Sequence, residues 1–364
     1  MIQGFAESNN VKKVFFGENS LKKFSKIDIL QNSKKRIFLL DSYFKNKKNY
    51  LKTNIIKKVD LVIYVDSSIE PTDVLIDNLI LKIKKQNFYN SKLVVAFGGG
   101  STLDTGKAVS NLLRNKGKAS DYQGWDLVKN PGVFKIGIPT LSGTGAESSR
   151  TCVLTNNKTG KKLGMNSDFS VYDLIVMDPV LTKTVDKNQY FYSGMDSFIH
   201  SFESINGKYK NNISDKYANL AKNICEKIFL SKNIKSNTNR SNLMIASYLG
   251  GLAIGMSMVG LVHPFSAALS VVFGTKHCIS NCIVMRGMRE FYPKEYNLFW
   301  KMVSKQKIKV PKLNLNLNIN KLDNISKKLI KSTLIHEKPL TNALGKNFRK
   351  ILTNKKMIKI FNKF

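Results

Sequence analysis

The first half of the chain alternates short apolar runs with amphipathic, Lys-rich segments, and this alternation limits the possible folds more than any other feature. The apolar runs lie at 35–42, 60–66, 92–100 and 133–140, and an amphipathic segment lies at 74–85. These runs lack the apolar–polar alternation of a strand with one solvated face, so we expect them to be buried on both faces. Such strands, joined by helices, predict a parallel sheet in a βαβ arrangement.

The pattern changes near residues 175–184, and helical periodicity dominates from about residue 187 onward, as in 214–230. No run beyond that point indicates a strand. We therefore predict an α/β domain over residues 1–184 and an all-helical domain over residues 185–364. The polar stretch 308–328 is rich in Asn and Lys and predicts a loop that leads into a surface helix.

Residues 247–274 form an uncharged run of 28 residues, which is long enough to cross a bilayer. The run contains five Gly, and Pro264 would break a single spanning helix, so a buried pair of helices is favoured. The N-terminal residues lack the apolar region of a secretory signal, and the four Cys include no C-x-x-C pair. These features predict a reducing, cytoplasmic location.

The formal net charge is +34, from 59 Lys and Arg against 25 Asp and Glu, and only seven of the basic residues are Arg. Proteins that recognise nucleic acids usually cluster Arg for bidentate contacts, whereas Lys here is spread over every segment. A compositional bias of the surface is therefore favoured. Attraction of anionic substrates and a basic anion- or nucleic-acid-binding function stay open as alternatives.

Three glycines, Gly98, Gly99 and Gly100, end one apolar run, and a helix is predicted to start near Thr102 with Asp104 in its first turn. Glycines let the backbone approach a pyrophosphate closely, and the N–H groups at a helix start hold negative charge. A tight strand-to-helix turn also needs glycine, so an ordinary turn is the alternative.

A second turn, at 138–150, offers the hydroxyl groups of Thr140, Ser142 and Thr144 after another buried run. Two such loops at neighbouring strand ends favour a ligand site, since open α/β sheets bind ligands there. Asp41 ends a third run, where a carboxylate can accept hydrogen bonds from a ribose diol and would favour NAD over NADP. The alternative for Asp41 is a cap on the following turn.

The chain contains only four His: His200, His263, His277 and His336. Asp196 and His200 are four residues apart, so they share one face of a predicted helix. His263 lies within the uncharged run, and His277 follows its end. One carboxylate and three imidazoles suit Zn²⁺ or Fe²⁺, although a structural role for each buried histidine is the alternative.

Taken together, these residues resemble the iron-containing (group III) alcohol dehydrogenase family, which shares the dehydroquinate synthase-like fold. The segments GGGSTLDTGK, IPTLSGTGAE, MDPVLT, GMDSFIH and HPFSAALSVVFGTKH are similar to the family's motifs and occur in the same order. The resemblance implies an N-terminal dinucleotide-binding α/β domain and an all-helical, metal-binding C-terminal domain.

The resemblance also implies the site residues. The metal ligands and catalytic residues would be Asp196, His200, His263 and His277. The residues that bind NAD would be Asp41, Gly98, Gly99, Gly100, Ser101, Asp104, Thr140, Ser142, Thr144 and Lys162. The cation would lower the pKa of the substrate hydroxyl, and a hydride would pass to the nicotinamide.

Within the family, the segments SGMDSFIHSFESINGKYKN, VFGTKHCISNCIVM and EKPLTNALG resemble the branch of 3-deoxy-manno-octulosonate (Kdo) 8-oxidases. That branch converts the C8 primary alcohol of this sugar acid to an aldehyde. A pyridoxal-phosphate aminotransferase then acts on the product, giving 8-amino-Kdo for lipopolysaccharide. The resemblance is compatible with a homodimer, and Arg150 is one candidate partner for the substrate carboxylate.

Two alternative enzymes stay open: another group III alcohol dehydrogenase that acts on a small alcohol or diol, and a metal- and NAD-dependent lyase of the dehydroquinate synthase type. Three positions depart from the family pattern: Ala267 replaces a further His, Cys278 replaces a Gly, and Ala146 replaces a Ser. Without the extra imidazole, the proton would have to leave through water or the cofactor ribose.

Overall fold

The computed structural model describes residues 9–46 and 55–364. The predicted lack of a secretory signal falls mainly on residues 1–8, outside the described residues. The chain forms two compact units, one ending at Val185 and the other beginning at Asp186.

The first unit contains the strands, which we number β1 to β9 in chain order. They are Lys13–Phe16, Arg36–Asp41, Leu61–Val65, Leu93–Gly98, Gly124–Trp125, Phe134–Pro139, Thr151–Asn156, Lys161–Asn166 and Leu174–Met177. Six of them form a parallel sheet in the order β1-β9-β6-β4-β2-β3. The other three form a small sheet in the order β5-β8-β7, in which β7 and β8 are antiparallel.

The helices of the described residues are numbered α1 to α14. They are Ser20–Phe24, Asp28–Asn32, Asp73–Lys85, Gly100–Leu112, Lys187–Asn206, Asn212–Leu230, Asn237–Met256, Val262–Phe273, His277–Val284, Pro293–Gln306, Asn324–Leu334, Glu337–Leu344, Phe348–Ile351 and Asn354–Phe361. The first four lie in the α/β unit. The second unit, residues 186–364, is described throughout and contains no strand.

The central strands of the parallel sheet are buried on both faces, as the continuous apolar runs predict. Ile37 and Leu39 of β2 belong to a core shared with residues of α3 and α4. Phe38 and Leu40 of the same strand belong to a second core, which includes residues of α1. Successive side chains of a strand point to opposite faces, so a strand covered on both sides needs apolar residues at every position.

The expected elements are observed with small shifts at their ends. The four predicted strands correspond to β2, β3, β4 and β6, and the helix predicted near Thr102 begins at Gly100. The strands β1, β5, β7, β8 and β9 were not predicted. β1 and β9 have four residues each, too few for a recognisable pattern, and the hairpin of β7 and β8 is interrupted by polar and Lys residues.

The uncharged run forms two helices, as expected. The helix α7 ends at Met256, and α8 begins at Val262, so Pro264 lies in the first turn of α8, where its missing N–H costs nothing. No helix among the described residues is long and apolar enough to cross a membrane. The polar stretch from residue 308 is irregular and leads into α11, Asn324–Leu334.

Candidate functional site

Three of the four predicted metal ligands lie close together in the helical unit. The donor atoms of Asp196 on α5, His263 on α8 and His277 on α9 lie within 4.8 Å of one another. The carboxylate of Asp196 is at the centre, with its Oδ1 3.4 Å from Nε2 of His263 and its Oδ2 3.6 Å from Nε2 of His277. Carboxylate and imidazole donors at these separations suit a single Zn²⁺ or Fe²⁺ ion.

His200 lies at the edge of this cluster. Its Nε2 is 3.6 Å from Oδ1 of Asp196, one helical turn away, and its ring stacks on that of His263 at a centroid distance of 4.7 Å. Nδ1 of His200 is buried and has no hydrogen-bond partner among the described residues. The structure thus brings all four predicted residues together, with His200 less tightly placed than the other three.

Two further polar residues support the cluster and were not predicted from the sequence. Glu203 contacts His263, with 2.5 Å between its Oε2 and Nδ1 of the ring. Asn281 donates from Nδ2 to Oδ1 of Asp196 at 2.7 Å. A local signal existed for both: Glu203 follows Asp196 by seven residues, and Asn281 follows His277 by four, so each shares a helix face with a predicted ligand.

The electrostatics of the cluster reflect the burial of opposite charges. Burial opposes ionisation of the Asp196 carboxyl, but His200, His277 and His263 hold its pKa below the usual range. Burial lowers the pKa of His200 to about 4, which keeps that imidazole neutral. For His263, burial acts in the same direction, but the carboxylates of Glu203 and Asp196 raise its pKa to about 9.

The cluster is closed on one side and open on the other. The side chain of Asp196 is 0 % exposed and that of His263 is 11 % exposed, whereas that of His277 is 31 % exposed. His277 is therefore the most accessible of these three residues. Ala267, where the family has a further His, is buried and offers no titratable group. The Sγ of Cys278 lies 3.8 Å from Oδ2 of Asp196, a weak contact.

In the α/β unit, the two predicted ligand loops meet at the ends of adjacent strands. β4 and β6 are paired, and the N–H of Thr140 donates to the carbonyl of Gly98 at 2.9 Å. The helix α4 begins right after the first loop, with Gly99 as its N-cap. Its first N–H groups lack acceptors within the helix, as an anion-binding helix start requires.

The glycines of the first loop are required by the protein's own packing. A Cβ at Gly98 would lie 2.6 Å from Oγ1 of Thr102, and one at Gly99 would lie 2.9 Å from Cδ1 of Leu141. Among the described residues, Oγ1 of Thr102 and Oγ of Ser142 are buried without hydrogen-bond partners. These two hydroxyl groups, next to an uncapped helix start, fit a phosphate-bearing cofactor better than the glycines alone do.

The remaining predicted NAD residues have partners within the protein. Oδ1 of Asp41 accepts hydrogen bonds from the N–H of Tyr43 and the hydroxyl of Ser67, both at 2.9 Å, so the capping role is present. Asp104 accepts from the N–H of Val153 at 3.0 Å. Binding of NAD by these residues stays a prediction.

Three more of these residues, Ser101, Thr144 and Lys162, lie at or near the two loops. Ser101 is in the first turn of α4. Oγ1 of Thr144 accepts a hydrogen bond from the N–H of Ala146 at 3.3 Å. Lys162 on β8 forms an ion pair with Glu70. For these residues, too, NAD binding stays a prediction.

Two family models match the chain. The model of iron-containing alcohol dehydrogenase matches residues 11–179. The model of the Fe-containing alcohol dehydrogenase family, C-terminal, matches residues 190–345. The chain therefore belongs to the iron-containing alcohol dehydrogenase family.

Relatives with similar sequences are named as reductases and dehydrogenases. Sulfoacetaldehyde reductase of Bilophila wadsworthia is 32 % identical over 220 residues, covering 58 % of this chain and 55 % of the reductase. NADH-dependent butanol dehydrogenase A of Clostridium acetobutylicum is 30 % identical over 302 residues, covering 77 % of this chain and 73 % of that enzyme. The match thus spans little more than half the length of the first of these relatives.

Solved structures share the fold. The alcohol dehydrogenase from Oenococcus oeni has a TM-score of 0.83 at 20 % identity, covering 99 % of this chain and 100 % of that one. The sulfoacetaldehyde reductase from Bifidobacterium kashiwanohense in complex with NAD⁺ has a TM-score of 0.80 at 19 % identity, covering 98 % of each chain. The parallel-sheet unit followed by a helical unit is therefore the fold of this family.

Proposed function

We propose that the protein is a metal- and NAD-dependent oxidoreductase that interconverts a primary alcohol and its aldehyde. The observation that carries this proposal is the cluster of Asp196, His263 and His277, whose donor atoms lie within 4.8 Å of one another. Membership of the iron-containing alcohol dehydrogenase family supports it, as do the dehydrogenase and reductase activities in the names of the relatives.

In this proposal, Asp196, His263 and His277 hold the cation, and His200 completes the set. When bound, Zn²⁺ or Fe²⁺ supplies Lewis acidity that lowers the pKa of a substrate hydroxyl. Asp196 is the one negatively charged residue among the proposed ligands. Its attraction for the cation is stronger than at a surface because the carboxylate is fully buried. Ala267 cannot carry a proton, so the hydroxyl proton would have to leave through water or, with NAD bound, through the cofactor ribose.

In the α/β unit, the start of α4 and the hydroxyl groups of Thr102 and Ser142 bind the diphosphate of NAD. The buried hydroxyl groups would gain the hydrogen bonds that they lack within the protein. Asp41 ends the neighbouring strand β2, where its carboxylate favours a ribose diol over a 2′-phosphate. When bound there, NAD would supply the hydride acceptor or donor for the reaction.

For the substrate, we propose the C8 primary alcohol of Kdo, on the resemblance of the segments around Asp196 and His277 to the Kdo 8-oxidase branch. The excess of positive charge supports an anionic substrate, since it raises the rate at which a carboxylate encounters the protein. Arg150 is disfavoured as the carboxylate partner because Asp126 and Asp168 already pair with it. We further propose that the protein is a cytoplasmic homodimer and that a pyridoxal-phosphate aminotransferase acts on its aldehyde product.

A small alcohol or diol is the second candidate substrate, and the butanol dehydrogenase among the relatives favours it. The test incubates zinc- or iron-loaded protein and NAD with Kdo, with 1-butanol and with a short diol in parallel. We expect NADH formation and a C8 aldehyde with Kdo. Oxidation of butanol or the diol without turnover of Kdo would replace the sugar-acid proposal by the second one.

The metal assignment has its own test. The variant His263→Ala is expected to lose both bound metal and turnover, whereas His336→Ala, at the histidine outside the cluster, is expected to keep both. Full activity and metal content in His263→Ala would refute the ligand assignment.

A further inference from the structure

Glu203 is fully buried beside His263 but is not one of the proposed ligands. Its Oε2 lies 2.5 Å from Nδ1 of His263, on the side of the ring away from the cluster. The other ring nitrogen, Nε2, lies 3.4 Å from Oδ1 of Asp196. A carboxylate oxygen that faces Nδ1 favours a proton on that nitrogen, so when the ring binds a cation it keeps the proton on Nδ1, and Nε2 is the nitrogen whose lone pair can bind the cation.

The second oxygen of the same carboxylate also has a defined partner. Oε1 of Glu203 accepts the N–H of Val262, the first residue of α8, at 2.5 Å. The N-cap residue Leu261 provides no side-chain cap, so this buried N–H depends on an acceptor from another helix. Glu203 therefore fixes the start of α8 and the ring of the next residue at the same time.

We propose that Glu203 is a positioning residue that sets the tautomer and orientation of His263 for metal binding. The inference rests on the proposed metal site. His200 provides a contrast within the same cluster, because its Nδ1 has no hydrogen-bond partner among residues 9–46 and 55–364. Carboxylates behind a metal-binding imidazole generally raise metal affinity by 10- to 100-fold.

The variant Glu203→Gln tests this role because an amide has one acceptor and one donor group. If the amide oxygen keeps the bond to Val262, the NH₂ group faces Nδ1 of His263 and drives the proton to Nε2. A protonated Nε2 cannot bind a cation. We expect the affinity for Zn²⁺ alone, titrated against a zinc-binding dye, to fall by about 10- to 100-fold while the circular dichroism spectrum stays unchanged.

The matched control is Glu226→Gln, which makes the same chemical change on α6 and is expected to keep wild-type zinc affinity. Equal zinc affinities of Glu203→Gln and wild type would overturn the inference and leave the metal site standing. A wild-type protein that binds no zinc would overturn the metal site and, with it, the inference.

A second measurement avoids any failure of the variant to fold. The chain has only four His, so ¹⁵N spectra of the zinc-loaded wild type resolve each imidazole, and through-bond correlation from the backbone assigns the ring of His263. We expect a protonated Nδ1 on His263. A proton on Nε2 instead would overturn the proposed role.

Discussion

Replacing Gly106 with Ala would show how closely α4, the helix that follows the loop of Gly98, Gly99 and Gly100, packs on the sheet. A Cβ at Gly106 would lie 2.5 Å from Cβ of Ala96 on β4 and 2.8 Å from the hydroxyl of Tyr172. Carbon atoms in contact normally lie about 3.5–4.0 Å apart, so α4 would have to move by roughly 1 Å. The Ala96 methyl group is fixed to a central strand and cannot rotate away.

The expected cost follows from two opposing effects. Overpacking of a core typically destabilises a fold by about 1–3 kcal/mol, whereas replacing a glycine with alanine in a helix interior stabilises it by roughly 1 kcal/mol. We expect the free energy of unfolding of the α/β unit to fall by up to about 2 kcal/mol, and its Tm by up to roughly 8 °C, instead of rising. NAD affinity should also fall, because the displaced helix carries the proposed diphosphate site.

The assay uses the one Trp in each unit, Trp125 and Trp300. In a Trp300→Phe background, the fluorescence of Trp125 reports thermal unfolding of the α/β unit alone. The added variant Ala96→Gly should restore at least half of the lost stability, because it removes the opposing methyl group.

The matched control for this variant is Gly255→Ala in α7. A Cβ there meets no atom within 4 Å, so the helix propensity alone should raise stability by about 0.5–1 kcal/mol. Thermal unfolding of this variant is followed through Trp300, in a chain that keeps that residue. If Gly106→Ala gains as much stability as Gly255→Ala, the packing argument is wrong.

Four further predictions follow from the charges and the proposed cation site. Burial raises the pKa of the Asp104 carboxyl to about 6 despite the nearby Lys107, so the folded state binds this proton more tightly than the unfolded chain does. Protonation of Asp104 therefore stabilises the fold fully below about pH 4, and this stabilisation is lost as pH rises through about 6. In urea denaturation, the free energy of unfolding of wild type should fall by about 1–3 kcal/mol between pH 4 and 7, relative to that of the neutral variant Asp104→Asn. Parallel pH profiles of the two proteins would contradict this. Arg36→Met should cost about 3–5 kcal/mol, because it leaves the buried Asp60 carboxylate without its partner, whereas Lys12→Ala at an exposed pair should change stability by less than about 1 kcal/mol. Removal of metal with a chelator, followed by zinc at about 1,000 times its Kd, should restore about 4 kcal/mol to the helical unit, and an unchanged unfolding curve would argue against the site. Retention on DNA should vanish near physiological salt, and retention that persists there would revive the nucleic-acid alternative.

The parallel sheet was predictable where its strands are covered on both faces. The continuous apolar residues of β2, β4 and β6 placed these strands to within a few residues. β1 and β9 escaped prediction because four residues carry too little pattern to separate a strand from a loop. β1 lies at the edge of the sheet and exposes Val14 and Phe16, so its composition does not follow the rule for buried strands.

The glycine loop shows a different limit. Its three glycines suggested close approach of a ligand, but the atoms that would clash with added side chains belong to Thr102, Leu141 and Thr144. The second loop comes from a separate part of the chain and packs on the first because β4 and β6 are neighbours in the sheet. Neither run of residues reveals that pairing, since strand order depends on contacts between distant segments.

Residue types and their spacing specify the chemical groups of the proposed metal site and one local relation among them, the four-residue interval that puts Asp196 and His200 on the same side of α5. The family resemblance implied that His263 and His277 join them, although residue spacing did not. The contacts among these residues, and that of Glu203 with His263, are visible only in the folded chain. Helical periodicity is local and can be counted along the chain. Contacts between helices that are 60 or more residues apart arise from side-chain packing, which no spacing in the sequence encodes.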